Sequence, residues 1–236
     1  MADTGVTVEF GDVIDPVVNA RVREFCRILA ERQVPGIIEV IPTYRSALVH
    51  FDPVVLTRES VHTLIRSALC VPAESQTQTR KITRLPVLYG GDEGPDLAFV
   101  ARHANLEVDE VIRLHTQPLY LVYMLGFTPG YPYMGGLDPR LATPRLSTPR
   151  LKTPRGSVGI AGGQTGIYSV DSPGGWRIIG RTPVKLFDPE STPQFLFEAG
   201  DYIQFRSVLH EEYLQIAANV QDGSYRPEVC YEPKDD

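Results

Sequence analysis

The chain is poor in several features that would place it at once. No apolar run approaches the roughly 18 residues that span a bilayer, and the opening MADTGVTVEFGD has neither the basic start nor the apolar stretch of a secretion signal. These absences exclude a membrane and predict a cytoplasmic protein. Positive charge is scarce: Lys and Arg number 23 against 29 Asp and Glu, giving a formal charge of -6 and a sequence pI near 5.4. Such a field repels phosphate backbones, which excludes nucleic acid as a partner. Cysteine is scarcer still. Cys26, Cys70 and Cys230 lie far apart without CxxC spacing, which excludes a disulfide framework and a zinc site, and no other metal ligand set is legible. Cys26 and Cys70 sit among apolar neighbours in helical patterns and are expected to pack in a core.

What is present is an ordinary globular composition, 42% hydrophobic and 22% charged, over 236 residues, enough for one large domain or two small ones. The first ninety residues alternate strand and helix signals. TVEFGD (7–12) is strand-like, and Asp15-Pro16 is an N-cap followed by proline at the first helical position. Val17, Ala20, Val22, Phe25, Ile28 and Leu29 then give one apolar helical face, running to about Arg32. IIEVIP (37–42) and SALVHFD (46–52) read as a hairpin, a second helix starts at Thr57, and after the polar linker AESQTQTR (73–80) comes ITRLPVLYG (82–90). The order strand, helix, strand, strand, helix, strand predicts a ferredoxin-like α+β domain over residues 1–89.

Residues 90–236 form the second expected domain. Two short helices, 97–106 and 109–117, precede LYLVYMLGF. From Thr128 to Pro189 glycine and proline are too frequent for a long helix. FLFEAGDYIQFRSV (195–208) reads as two strands, and the whole as a mainly-β barrel. Within it LATPRLSTPRLKTPRG (141–156) repeats Leu-x-Thr-Pro-Arg three times. Its prolines force an extended surface segment, so Arg145, Arg150 and Arg155 point to alternating sides and do not form a single clamp. Arg155, beside the glycine-rich stretch, is the candidate for an anion site, and the other two read as a solvated strap.

The glycine-rich stretch GSVGIAGGQTGIYSVDSPGGWRIIGRTP (156–183) poses the chemical question. GWRIIGRT (175–182) nearly fits a P-loop, but WRII is itself strand-like and no helix follows to aim amides at phosphates. GGQTG (162–166) lacks dinucleotide-binding spacing. What the glycines do allow is close approach of backbone to a ligand, among the donors Gln164, Thr165, Tyr168, Trp176 and Arg181. No nucleophile elbow exists, His210-Glu211-Glu212 lacks the second histidine of a zincin, and His115 reads as structural. If the chain is enzymatic, it holds part of an active site.

Three ordered blocks, FTPGYPYMGGLD (127–138), TPRGSVGIAGGQTGIY (153–168) and SPGGWRIIGRTP (172–183), resemble the 5-oxoprolinase B-subunit family. That family is also called allophanate hydrolase subunit 1 and includes the sporulation-kinase inhibitor KipI. The resemblance implies a ferredoxin-like domain followed by a cyclophilin-like β-barrel. It also implies a companion C subunit, similar to allophanate hydrolase subunit 2, and a third component, the A subunit. The implied activity is ATP-dependent opening of 5-oxo-L-proline, a small-molecule substrate, to L-glutamate, with ATP used by the complex and this chain inactive by itself. Arg155, Gln164, Thr165 and Arg181 are then the candidates to stabilise developing negative charge, and Gly163, Tyr168 and Trp176 the candidates to line the substrate pocket. The same resemblance leaves open a KipI-like regulator that binds a sensor histidine kinase, and a component of a urea or allophanate amidolyase or a carboxyltransferase. FTPGYPYMGG fits an interface between subunits as well as a catalytic loop.

Overall fold

The computed structural model describes residues 4–71 and 79–233, which divide into two compact units with the boundary between Gln78 and Thr79. Most of the expected linker 73–80 lies outside the described residues.

The first unit follows the expected element order up to its last strand. β1 (Gly5–Glu9) leads to α1 (Pro16–Arg32), whose N-terminus is capped as its sequence requires: the Asp15 carboxylate accepts hydrogen bonds from the Val17 and Val18 amides. β2 (Ile37–Pro42) and β3 (Ser46–Phe51) form the hairpin, and α2 (Arg58–Leu69) is capped by the Thr57 hydroxyl. The sheet is antiparallel in the order β1-β3-β2. Val22, Phe25 and Leu29 of α1 and Val61 and Ile65 of α2 bury against Ala47, Val49 and Phe51. Cys26 is half-buried in this packing and burial raises its thiol pKa to about 11, but Cys70 caps α2 in an exposed position and contributes no core.

The fourth strand expected here belongs elsewhere. β4 (Thr79–Tyr89) pairs with strands of the second unit, so the ferredoxin-like sheet is short by one strand and the boundary expected at residue 89 moves to 78/79. Its composition gives the reason. Thr83, Leu85, Pro86 and Val87 are buried on both faces of the strand, which demands cover on two sides.

In the second unit β4 is central, followed by α3 (Leu97–Ala104), α4 (Val108–Thr116), β5 (Tyr120–Leu125) and β6 (Pro132–Gly135). After a single 3-10 turn at Pro139–Leu141 come β7 (Arg150–Thr153), β8 (Ser157–Ala161), β9 (Gln164–Ile167), β10 (Ser172–Gly174) and β11 (Arg177–Arg181). β12 (Tyr202–Ser207), α5 (His210–Gln221) and β13 (Glu228–Pro233) complete it. Eight strands run β6-β5-β12-β4-β11-β8-β9, with β13 also on β4. The end strands β6 and β9 lie against each other, so the mixed sheet is a nearly closed barrel. Among the described residues only β12 and β4 pair in parallel. β7 and β10 form a separate two-stranded ribbon.

Two expectations fail locally. Of the two strands read in 195–208 only β12 is regular; Phe195 makes an isolated bridge to Phe187. The helix α5 and strand β13 are additions to the expected order, although Tyr213, Ile216 and Val220 recur at helical spacing and pack together with Val208 and Leu88.

Candidate functional site

The aromatic block and the glycine-rich block meet against β9. The β5–β6 turn is tight: the Gly126 amide donates to the Tyr131 carbonyl, Phe127 takes φ of 63° and Gly130 takes 74°. A side chain at Gly130 would strike Phe187. This turn drives Tyr131 inward, where it is buried and meets Phe127, Tyr133, Tyr168 and Trp176 edge-on at centroid distances of 5.6, 5.2, 6.0 and 6.1 Å. Such edge-to-face pairs fix ring orientation as well as burying area.

Two glycines clear space for these rings. A Cβ at Gly166 of β9 would collide with the Tyr131 hydroxyl and the Trp176 indole, and one at Gly174 of β10 would collide with the Tyr168 hydroxyl. The Trp176 amide hydrogen-bonds the Tyr168 hydroxyl, whose pKa burial nevertheless raises. Around this aromatic floor is an open groove of about 380 Å³, lined by Phe127, Tyr131, Tyr133, Tyr168 and Trp176, with Arg145 and Gln164 supplying its polar groups. The Arg145 guanidinium lies 5.9 Å from the Trp176 ring centroid. Arg145 is therefore part of the groove wall, and only its sequence repeat suggests a bare surface strap.

Beneath the groove Thr165 is 2% exposed and out of reach of a ligand. Its hydroxyl donates to the Gly159 carbonyl at 3.1 Å and contacts His115 Nε2 at 2.8 Å; His115 Nδ1 in turn meets the Tyr89 hydroxyl at 2.7 Å. Because Thr165 spends its proton on Gly159, Nε2 carries the imidazole proton and donates it to Thr165, and Nδ1 accepts from Tyr89. Burial drops the His115 pKa to about 3, and Phe205 stacks on the ring at 4.5 Å. This chain of hydrogen bonds cross-links α4, β4 and β9 from within, in keeping with a structural role for His115.

Arg155 and Arg181 are elsewhere. Trp176 and Arg181 bracket β11, a span of about 16 Å at strand rise. At the Arg181 end a second groove of about 490 Å³ is lined by Arg155, Arg181, Lys185, Tyr213 and Gln221. Arg181 donates to the Arg155 carbonyl at 2.9 Å and to Glu93 at 3.2 Å. Arg150 belongs to neither groove. It pairs with Asp96 at 2.8 Å and donates to the Trp176 carbonyl, while Asp96 also accepts from the Ile178 amide. The three arginines of the repeat thus go to three places and form no single clamp. The pocket expected around Arg155, Gln164, Thr165 and Arg181 together is two grooves and a buried link, with Gly163 at the open β8–β9 turn between Gly162 and Gln164. WRII lies on β11 and its neighbourhood, as strand and not as a P-loop.

Among the described residues no three His, Cys, Asp or Glu side chains gather to hold a metal, and no helix is long and apolar enough to cross a membrane. The family model for the carboxyltransferase domain, subdomain C and D, matches residues 1–197. The chain is 41% identical over 223 residues to the 5-oxoprolinase B subunit of Bacillus subtilis, covering 90% of this chain and 93% of that protein. It belongs to the 5-oxoprolinase B-subunit family. Urea amidolyase of Saccharomyces cerevisiae is 25% identical over 262 residues, 96% of this chain but 14% of that protein. Among solved structures TTHA0988 superposes with a TM-score of 0.78 at 35% identity, over 87% of this chain and 40% of that one. Every block that carries the resemblance lies within the matched residues, and the aromatic groove is built from them.

Proposed function

We propose that the chain is the B subunit of an ATP-dependent 5-oxoprolinase, and that the aromatic groove receives 5-oxo-L-proline while companion subunits complete the site. The observation that carries this reading is the groove's pairing of a carboxamide, Gln164, with the Arg145 guanidinium across an aromatic floor. A five-membered lactam acid offers the matching groups: a cis amide with one donor and one acceptor, a carboxylate, and a flat apolar ring. Gln164 matches the amide edge, Arg145 the carboxylate, and Trp176 and Tyr168 the ring faces.

Amide resonance makes the lactam a poor electrophile. Transfer of the ATP γ-phosphoryl group to the lactam oxygen releases ADP and makes the ring carbon electrophilic. Water adds to it, the ring C–N bond breaks as the nitrogen takes up a proton to leave an acyl phosphate, and a second water hydrolyses that acyl phosphate to glutamate and phosphate. The groove supplies orientation for that sequence, and phosphoryl transfer is assigned to the assembled complex. The 41% identity with a named 5-oxoprolinase component, over an alignment covering 93% of that protein, supports the substrate. A carboxyltransferase role is the second reading, favoured by the urea amidolyase likeness across 96% of this chain.

The test is ATP-dependent glutamate release from 5-oxoproline by this chain alone and mixed with its companion C and A subunits. Activity confined to the mixture is expected. A correctly assembled but inactive mixture would overturn the substrate assignment, and bicarbonate-dependent carboxyl transfer in its place would establish the second reading.

A further inference from the structure

The groove at the far end of β11 has no part in the reading above. Its walls come from the 155–156 turn, the start of the 182–185 segment and one side of α5. Arg155 is held at both main-chain polar groups: its amide donates to Asp171 at 2.8 Å, and its carbonyl accepts from Arg181. The next residue is Gly156 at φ of 81°, where no side chain fits against the Thr182 carbonyl, and its amide and carbonyl are bonded to the Tyr168 carbonyl and the Thr182 amide. Yet the Arg155 guanidinium has no hydrogen bond or ion pair among the described residues. A fixed backbone carrying an unpaired cation over a groove is a preorganised anion donor.

The other lining groups agree. Tyr213 is only 8% exposed, and its hydroxyl has no hydrogen-bond partner among the described residues. Burial keeps that hydroxyl protonated, and so a donor. Lys185 is tied only to Asp188, in a partly exposed pair at 2.9 Å, of the kind that contributes little to stability and yields readily. Gln221 adds a carboxamide. Three carboxylates lie about the cluster and each has a partner: Glu93 pairs with Arg181, Asp188 with Lys185, and Asp171 with Lys152 and the Arg155 amide. Three cations thus converge on one groove in a chain of net charge -6.

We infer that this groove is an oxyanion site, separate from the aromatic groove, which takes a phosphoryl or carboxylate group through the Arg155 guanidinium, the Lys185 ammonium and the Tyr213 hydroxyl. Arg181 holds Arg155 in place through its carbonyl and adds a second guanidinium on the wall.

Calorimetric titration of the full chain at low ionic strength with inorganic phosphate, pyrophosphate and acetate tests it. At least one is expected to bind with Kd at or below about 1 mM. Arg155→Ala should weaken that binding about tenfold or more, as loss of a charge-assisted hydrogen bond does, and Lys185→Ala and Tyr213→Phe should weaken it less. Phosphate binding that tightens as pH rises through the second phosphate pKa identifies a phosphoryl site, whereas acetate binding flat between pH 6 and 8 identifies a carboxylate site. Arg155 and Lys185 are exposed, so both variants should melt with the parent protein. No binding by any of the three anions overturns the inference, as does binding that Arg155→Ala leaves intact in a folded protein. Glutamate release does not enter these readouts, so this site and the substrate assignment fail independently.

Discussion

The two ends of β11 hold their grooves open by different means. At the Trp176 end the walls are rings locked edge-on around Tyr131, with clearance set by Gly166 and Gly174. At the Arg181 end the walls are long cationic side chains steered by main-chain hydrogen bonds and by the ion pairs to Glu93 and Asp188. The first arrangement rests on packing, which salt leaves alone. The second rests on charge, which salt screens within about 8 to 10 Å. A flat ring held by its faces, with one carboxylate turned to Arg145, suits the former and a small anion held by charge alone the latter, so one strand positions two kinds of recognition.

Perturbations that touch one end only should separate the two. The largest effect is expected between them, where Arg150 and Asp96 brace β11. Arg150→Ala leaves the largely buried Asp96 carboxylate with only the more distant Arg177 guanidinium, at 4.0 Å, and frees the Trp176 carbonyl, and should cost about 3 kcal/mol in denaturant unfolding. Gly166→Ala comes next. Its methyl group meets Tyr131 and Trp176, so a loss of about 2 kcal/mol is expected with altered emission from Trp176, the only tryptophan, while anion binding at the other groove stays unchanged.

The buried link below the aromatic groove gives a pH signature of similar size. His115 has a folded pKa of about 3 against an ordinary 6.5, so the unfolded chain takes up a proton that the folded protein refuses. Its contribution is fully present above pH 6.5 and is lost as pH falls toward 3. By pH 5 the loss amounts to about 2 kcal/mol at 1.36 kcal/mol per unit. His115→Gln should lose less stability than the parent between pH 7.5 and 5; equal losses would mean that the imidazole is not held neutral. The smallest effect belongs to Phe127, 68% exposed at φ of 63°. Phe127→Gly removes backbone strain and no core, so the melting temperature should hold or rise slightly. A clear fall would show that the turn depends on that ring.

How much of this is legible in the sequence depends on how local each signal is. The helix caps at Asp15 and Thr57, the hairpin at 37–51 and the divergence of Arg145, Arg150 and Arg155 follow from residues within a few positions of one another. The allegiance of β4 does not. Ile82 to Val87 has the same apolar texture in either sheet, and what decides is parallel pairing with β12, 120 residues further along at Ile82 and Tyr202. The candidate site divides in the same way. Its aromatic and glycine blocks are visible, but Arg155 and Gln164 group together only because they are close in sequence, and the turn at Gly162 with the intervening strands sends them to opposite ends of the barrel sheet. Arg145 reads as solvated because nothing local reveals that Trp176 lies beneath it.

The central claim is that the aromatic groove holds the substrate of an assembled 5-oxoprolinase. Its most direct test is kcat/KM for glutamate release by the reconstituted complex carrying Trp176→Leu or Gln164→Leu, with assembly verified. A fall of about tenfold or more in each, through loss of ring contact and of the amide partner, is predicted. Parent-level kcat/KM in both variants would contradict it and move the substrate out of this groove.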